Sequence, residues 1–248
     1  MMLIAQLSDL HLRDDGADPC HDPVEATRRA LEAIAAMERL PDAIVITGDI
    51  IDRTAKGYAH VLPFLKDAPA PLFALPGNHD QSAEFRLAFG AGMAYHPEHL
   101  SFVQPVGEAL LIGLDSTMPD GSGGLDSPRL AWLASVLAQT RRPVILAMHH
   151  PPFPTLTAHL DRPGFAGAAE LAEIVTKAPV CRIIAGHSHR AIQTCWAGVL
   201  ASTAPAIGHA LSLSLTGQTP HRPMPGPPGF DLHLLQEDRV VSHLVSLA

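Results

Sequence analysis

The segment Pro76-Gly77-Asn78-His79-Asp80 follows an apolar run, residues 71–75, that is typical of a buried strand. Asn78 offers an amide oxygen and His79 an imidazole, and Gly77 allows the backbone to approach another part of the chain closely. Polar side chains at the end of a buried strand are costly unless they have partners. The segment therefore predicts a ligand-binding or catalytic site.

Four further apolar runs are also followed by polar side chains that can bind a metal ion. Runs 3–7, 43–47, 144–148 and 181–185 are followed, in that order, by Asp9 and His11, by Asp49, by His149, and by His187 and His189. On a continuing strand, side chains at i and i+2 leave the same face, so each two-residue spacing predicts a pair that reaches one ion. Taken singly, each segment has a plainer interpretation: a solvated strand end, a helix N-cap at Asp49, or a half-exposed core histidine at His149.

Together these side chains comprise two carboxylates, an amide and four imidazoles. Such a set of oxygen and nitrogen ligands suits a pair of ions such as Fe, Mn, Zn or Co, whose identity the sequence leaves open. Two ions about 3.5–4 Å apart are the usual device for in-line displacement at phosphorus. They offset the charge of an anionic phosphodiester and lower the pKa of a bridging water.

In sequence order, these motifs resemble the five blocks of the calcineurin-like metallophosphoesterase superfamily, and the resemblance spans residues 9–189. Within the superfamily, four segments are similar to the bacterial class III cyclic nucleotide and glycerophosphodiester phosphodiesterases: Ser8-Asp9-Leu10-His11, Gly77-Asn78-His79-Asp80, His149-His150-Pro151-Pro152 and Gly186-His187-Ser188-His189.

The resemblance implies a four-layer αββα sandwich, an α/β fold of two mixed β-sheets flanked by helices, with a dinuclear metal centre. It implies that one metal is held by Asp9, His11 and His189, that the other is held by Asn78, His149 and His187, and that Asp49 bridges them. His79 is not a ligand in that family. The resemblance implies that it contacts the phosphate oxygens and protonates the leaving alkoxide.

Some residues around the motifs have open roles. Gly48-Asp49-Ile50-Ile51-Asp52-Arg53 also resembles the protein Ser/Thr phosphatases, in which the matching arginine contacts phosphate; here Arg53 is predicted to lie on the surface. His150 is predicted behind the ligands, although an exchange with His149 stays open. Asp80 is predicted to cap the following helix. Most histidines outside the motifs are predicted at the surface, and His209 on a loop near the substrate: His96, His99, His209, His221, His233 and His243.

The chain has 248 residues, is 47% hydrophobic and is predicted to form a single domain, 1–248. Its formal net charge of -8 argues against long nucleic acids and anionic membranes as partners. No apolar run approaches the roughly 20 residues of a membrane span, and no basic segment of a signal peptide is present. With three widely spaced cysteines, predicted to be thiols, the chain is expected to be cytoplasmic. Homo-oligomerisation stays open.

Periodicity and turn residues predict the remaining elements. Asp22 caps a helix that starts at Pro23, and further helices are expected at 57–67, at 81–89, from Ser127, and near 167–176. Residues 101–106 and 109–114 are predicted as paired strands. The last part of the chain is predicted to hold strands at 193–202, 209–215, 230–235 and 239–245, with a proline-rich loop at 219–229.

These observations favour a metal-dependent phosphodiesterase that acts on small phosphodiesters. The aromatic residues are few, with 2 Trp, 2 Tyr and 8 Phe, and suggest no platform for stacking a base. Cyclic nucleotides and glycerophosphodiesters therefore stay equally open as substrates. The alternatives are a phosphomonoesterase of the protein phosphatase type and a binding scaffold without metal.

Overall fold

The computed structural model describes residues 1–13, 20, 22–53, 57–219, 222–237 and 239–247. In these ranges the strands are β1 (Met2–Leu7), β2 (Ala43–Thr47), β3 (Leu72–Leu75), β4 (Phe102–Val106), β5 (Ala109–Leu114), β6 (Gly123–Gly124), β7 (Val144–Met148), β8 (Phe165–Ala166), β9 (Val180–Ala185), β10 (Ile192–Trp196), β11 (Val199–Thr203), β12 (Ala210–Leu211), β13 (Pro223–Met224), β14 (Gly229–Gln236) and β15 (Arg239–Ser246).

The helices are α1 (Pro23–Ala35), α2 (Gly57–Lys66), α3 (Ser82–Phe89), α4 (Ser127–Ala138), α5 (Ala158–Asp161) and α6 (Ala168–Thr176), with a 3-10 turn at Gly90–Gly92. The Asp22 carboxylate accepts hydrogen bonds from the backbone of Val24 and Glu25, so the predicted N-cap of α1 is confirmed. None of the helices in the described ranges is long and apolar enough to cross a membrane.

Two mixed sheets form the centre of the molecule. The first has the strand order β15-β14-β1-β2-β3 and the second β10-β11-β9-β7-β5-β4. Strands β1, β2 and β3 are parallel, as are β5, β7, β9 and β11, whereas β14, β15, β10 and β4 add antiparallel pairs.

Alternating side chains on these strands build three apolar layers. Ile44 and Ile46 pack with the helices on the outer face of the first sheet, whereas Val45 between them packs in the core between the sheets. On the second sheet, Leu111 faces the other sheet and Ile112 faces the outer helices. Since both faces of the central strands are covered, β2, β5 and β7 are fully buried and consist almost entirely of apolar residues. The predicted four-layer sandwich is confirmed.

The C-terminal part of the chain departs from the prediction. The segment predicted as one strand, 193–202, is a hairpin of β10 and β11, because Ala197 and Gly198 adopt left-handed backbone with φ of 49° and 82°. The predicted strand 209–215 shortens to β12. It pairs with β13, which lies in the segment predicted as a loop. Residues 220 and 221 of that loop lie outside the described ranges.

Two of the histidines outside the motifs, most of which were predicted at the surface, are buried. His233 on β14 is fully buried, with Nε2 2.9 Å from Gln6 Oε1 and Nδ1 2.7 Å from Ser242 Oγ. His99 is also buried. A histidine with neighbouring polar partners can be satisfied inside the core, which its spacing in the sequence does not reveal. His221 lies outside the described ranges.

Candidate metal centre

The loops that follow β1 and β2 run side by side and carry three of the predicted ligands. The backbone N–H of Asp9 donates to the carbonyl of Gly48 at 3.0 Å, and that of His11 donates to the carbonyl of Asp49 at 2.9 Å. Asp9, His11 and Asp49 have φ of 53°, 49° and 50°. Residues other than glycine adopt this left-handed region rarely. Strained backbone of this kind clusters at functional sites, where the surrounding structure holds it in place.

Asp9 and His11 lie at one site, as predicted. The reason predicted for it, that they are alternate residues of one continuing strand, is wrong. β1 ends at Leu7, so the alternation of a continuing strand does not apply to them. The same holds for His187 and His189, which follow β9 with φ of 69° and 53°. Left-handed turns after the strands, fixed by contacts between the loops, bring each pair to the site.

The loop after β3 is attached to the loop after β2. The backbone N–H of His79 donates to Asp49 Oδ1 at 2.8 Å. A Cβ atom on Gly77 would lie 2.5 Å from the Asp49 backbone nitrogen and closer still to its carboxylate, so only glycine fits there. The close approach predicted for Gly77 is therefore an approach to Asp49.

Asp80 is not the helix cap that was predicted. The N-cap of α3 is Gln81, which makes no side-chain capping bond. The buried Asp80 carboxylate instead accepts from the backbone N–H groups of Gly77 and Ile50, at 2.8 and 3.2 Å, and from the Tyr58 hydroxyl at 2.8 Å. Asp80 thereby ties together the loops that carry Asp49 and Asn78.

The first group of candidate ligands comprises Asp9, His11, Asp49 and His189, all of them buried. His189 Nδ1 lies 2.7 Å from the carbonyl of His209 and must carry the proton, because a carbonyl only accepts. The neutral ring then has its lone pair on Nε2, which lies 3.0 Å from His11 Nε2 and 3.6 Å from Asp9 Oδ1. Electron-pair donors that converge in this way suit a bound cation.

The second group is centred on His149, which is fully buried. Its Nδ1 lies 2.8 Å from the carbonyl of Thr47, so the same reasoning leaves the lone pair on Nε2. That atom lies 3.1 Å from Asn78 Oδ1 and 3.4 Å from Asp49 Oδ2. The His187 ring lies 5.1 Å from the His149 ring, centroid to centroid. Here too the donor set fits a cation.

Asp49 stands between the two groups. Its Oδ2 lies 3.5 Å from His11 Nε2 in the first group and 3.4 Å from His149 Nε2 in the second. The structure therefore brings together all seven residues that the sequence predicted as ligands, with the carboxylate predicted to bridge in the shared position.

The electrostatics of the site favour added positive charge. Burial raises the pKa of Asp9 to about 6. Burial opposes charge on His149, but Asp49 and Asp9 outweigh it and raise the pKa of His149 to about 9. Burial lowers the pKa of His187 to about 3. A proton on His149 thus offsets the buried carboxylates, and a metal ion would replace that proton.

Asp52 is a site residue that the sequence analysis missed. Its Oδ1 lies 2.7 Å from Nδ1 of His79, and its Oδ2 accepts from Arg13 Nη1 at 3.1 Å. A carboxylate at Nδ1 sets the orientation and tautomer of the imidazole and leaves Nε2 to exchange a proton with a ligand. The signal in the sequence was the position of Asp52 three residues after Asp49, in the segment that resembles the protein phosphatases.

Three residues whose roles the sequence left open lie next to the two groups of candidate ligands. Arg53 is exposed, and it lines a cavity of about 310 Å³ together with His79 and Asn78. His150 is buried with its backbone N–H bonded to Ser116 Oγ at 3.0 Å, and its ring lies 4.6 Å from that of His187. The His209 ring lies 4.9 Å from the His189 ring. His150 forms a group with His149 and His187 whose ligand atoms all lie within 4.8 Å of one another, so His150 is a candidate ligand as well. His209 borders the first group.

Comparison with known proteins agrees with this geometry. Residues 2–191 match the family described as calcineurin-like phosphoesterase. The chain is 30% identical to a probable glycerophosphodiester phosphodiesterase, GpdQ, of Arcobacter nitrofigilis, over 96% of this chain and 90% of that protein. It is 33% identical to the 3',5'-cyclic adenosine monophosphate phosphodiesterase CpdA of Escherichia coli K12, over 70% of this chain and 64% of that protein.

Among solved structures, a dimetal phosphatase from Danio rerio superimposes with a TM-score of 0.75 at 17% identity, over 99% of this chain and 98% of that chain. This similarity concerns the fold. The family match covers most of the chain and includes every residue of both candidate ligand groups. The protein therefore belongs to the calcineurin-like phosphoesterase family.

Proposed function

We propose that the protein is a dinuclear-metal-dependent phosphodiesterase that hydrolyses small phosphodiesters of the cyclic nucleotide or glycerophosphodiester type. The observation that carries this proposal is the position of Asp49 Oδ2, within 3.5 Å of an imidazole nitrogen in each of the two ligand groups. One shared carboxylate between two sets of donors is the arrangement expected for a pair of ions. Relatives named for both kinds of diester support the substrate class.

In this proposal Asp9, His11 and His189 hold one ion, Asn78, His149 and His187 hold the other, and Asp49 bridges them. The ions supply charge compensation for the phosphate and lower the pKa of a water. Thr47 and His209 orient His149 and His189 through the carbonyl contacts to their Nδ1 atoms.

His79 lies beside this centre, outside the ligand set. Its Nδ1 is bonded to Asp52, so Nε2 gives a proton to the leaving alkoxide as the phosphorus–oxygen bond breaks. Asn78 and His79 also stabilise the negative charge that develops on the phosphate oxygens.

Two of the arginines near the motifs already have partners within the protein, which favours a diester over a monoester as the substrate. A monoester dianion brings a second negative charge that needs compensation. Arg13 is paired with Asp52 at 3.1 Å, and Arg190 Nη1 donates to the carbonyl of Leu211 at 2.9 Å. Arg53 lines the cavity of His79, and its contribution to phosphate binding is open to test.

The test is a substrate panel on protein stripped of metal and reloaded with Mn²⁺, Zn²⁺, Co²⁺ or Fe²⁺. Methyl p-nitrophenyl phosphate should be a better substrate by kcat/KM than p-nitrophenyl phosphate or a phosphoserine peptide at the same metal and pH. Preferential hydrolysis of the monoesters would replace the proposal with the phosphomonoesterase alternative. Absence of bound metal and of any turnover would favour the scaffold alternative.

A further inference from the structure

Two cavities meet beside the candidate metal centre. One, of about 360 Å³, is lined by residues that include His187, and the other, of about 310 Å³, by residues that include His79. Asn78 and Gly121 line both. A phosphate placed at Asn78 would therefore have one cavity available for each of its two ester groups. A monoester would fill only one of them.

The larger cavity has a wall that is mostly carbon. Its apolar lining includes Pro151, Pro152, Phe153, Leu160, Phe165 and Trp196. Thr155 and Asp161 in the same wall are bonded to each other, since the backbone N–H and hydroxyl of Thr155 both donate to Asp161 Oδ1 at 2.8 Å. The other polar lining residues are Asn78, Ser122, His150 and His187. Against the apolar part of the wall, the hydroxyl groups of a glycerol substituent would lose water without new partners, which costs free energy. A flat, apolar group would not incur this cost.

The chain holds this wall in a fixed shape. Proline fixes φ at three positions of the segment 151–154. Leu156 is held in the left-handed region with φ of 56°, which a leucine rarely adopts. The flanking Thr157 and Ala158 donate their backbone N–H groups to Thr155 Oγ1 and to the carbonyl of Ser214. A preformed wall binds its ligand with less loss of conformational entropy than a mobile loop does.

We propose that this cavity binds a planar aromatic group on the ester arm that stays bonded to phosphorus, as in a nucleoside phosphodiester, in preference to a glycerol group. The inference rests on the proposed function. His79 borders the other cavity, so the leaving arm lies there. Water adds its oxygen to phosphorus, the bond from phosphorus to the leaving oxygen breaks, and His79 supplies the proton to that oxygen. Of the two protons of the water, one stays on the product phosphate and the other returns to His79 through solvent. The aromatic arm remains in the larger cavity as part of the product.

The test compares phenyl p-nitrophenyl phosphate with methyl p-nitrophenyl phosphate, each corrected for its rate of hydrolysis by hydroxide. Both release nitrophenolate, so they differ only in the retained arm. We expect a corrected kcat/KM at least about tenfold higher for the phenyl ester. Trp196→Ala, which removes an aromatic wall residue, should lower this preference about fivefold. Ala168→Leu, which fills the cavity from α6, should lower it as well, and both should leave the methyl ester nearly unchanged.

The second tryptophan of the chain provides the matched control. Trp132 lies on α4, outside the cavity lining, so Trp132→Ala should leave the phenyl-to-methyl ratio unchanged. In Trp132→Phe, Trp196 is the sole tryptophan, and its emission should change on addition of phenyl methylphosphonate but not of methyl methylphosphonate. Ala168→Leu in that background should remove the change.

The outcomes separate this inference from the proposed function. If both esters are hydrolysed but the ratio is the same in wild type, Trp196→Ala and Ala168→Leu, the aromatic subsite is wrong and the diesterase proposal stands. If the metal-loaded wild type hydrolyses neither diester, the proposed function itself is wrong, and the inference fails with it.

Discussion

Replacing Asp52 with asparagine tests how His79 is held and charged. The Asp52 carboxylate lies 2.7 Å from His79 Nδ1 and also pairs with Arg13. Asparagine keeps the shape of the side chain and removes its negative charge. The protonated form of His79 therefore loses its hydrogen-bonded carboxylate, while Asp49 and the other residues proposed to bind metal keep their identity.

The contact between Asp52 and His79 sets the expected size of the fall in kcat. A hydrogen bond to a charged group contributes about 1.5–3 kcal/mol, which corresponds to about 10- to 150-fold in rate. The Asp52 side chain is 24% exposed, so solvent screens part of this interaction. We therefore expect kcat for a diester with an alkoxide leaving group to fall by an amount near the lower end, about tenfold.

The pH profile should move in a defined direction. Burial lowers the pKa of His79, and the negative charges of Asp49 and of Asp52 partly offset that effect. Without the Asp52 carboxylate the pKa of His79 falls further. Because a general acid acts only while it is protonated, activity at the alkaline side of the profile should be lost at a lower pH in Asp52→Asn than in the wild type.

The assay measures kcat for diesters with alkoxide and nitrophenolate leaving groups, with metal content determined on the same samples. Nitrophenolate needs no proton, so the loss should nearly vanish with that substrate. Asp120→Asn is the control, since Asp120 lines the same cavity and its carboxylate accepts from Ser122. Asp52 Oδ1 also lies 3.9 Å from Nδ1 of His11, so the comparison is made on samples with equal metal content. An equal loss with both leaving groups on such samples would refute the proposed proton transfer by His79.

Three further predictions concern other parts of the site. Asp49→Ala should lose metal from both sites and Asp9→Ala mainly from one, so metal analysis that finds two ions per chain in Asp49→Ala would remove the bridging role. Arg53→Ala should barely change turnover of methyl p-nitrophenyl phosphate, whereas abolished turnover would indicate that Arg53 is needed to bind phosphate. Asp80→Ala leaves the buried backbone N–H groups of Gly77 and Ile50 without the carboxylate they donate to, at about 1–3 kcal/mol each before water compensates. Its thermal midpoint should therefore fall by several degrees, and an unchanged midpoint would contradict the structural role of Asp80.

The positions of the site residues were predictable because they depend on a general property of α/β folds. Parallel strands place their carboxyl ends at one edge, so residues after β1, β2, β3, β7 and β9 come together. The orientation of the side chains was not predictable from local spacing. Asp9 and His11 owe their left-handed backbone to bonds with the neighbouring loop, 39 and 38 residues further along the chain.

Other features depend on contacts that no local pattern contains. Asp52 and His79 are 27 residues apart, and their pairing follows from the meeting of two loops. The aromatic wall gathers Phe153, Phe165 and Trp196 from separate segments, although the composition suggested no stacking platform. The break between β10 and β11 could have been predicted from the sequence, since Gly198 marks the turn.

The dinuclear diesterase proposal is tested most directly by titrating metal-free protein with Mn²⁺ while bound metal and hydrolysis of methyl p-nitrophenyl phosphate are followed together. The proposal predicts two bound ions per chain, with full turnover only when the second site fills, because Asp49 is shared by both ligand groups. Full activity with one bound ion, or activity that persists in the presence of excess chelator, would contradict it.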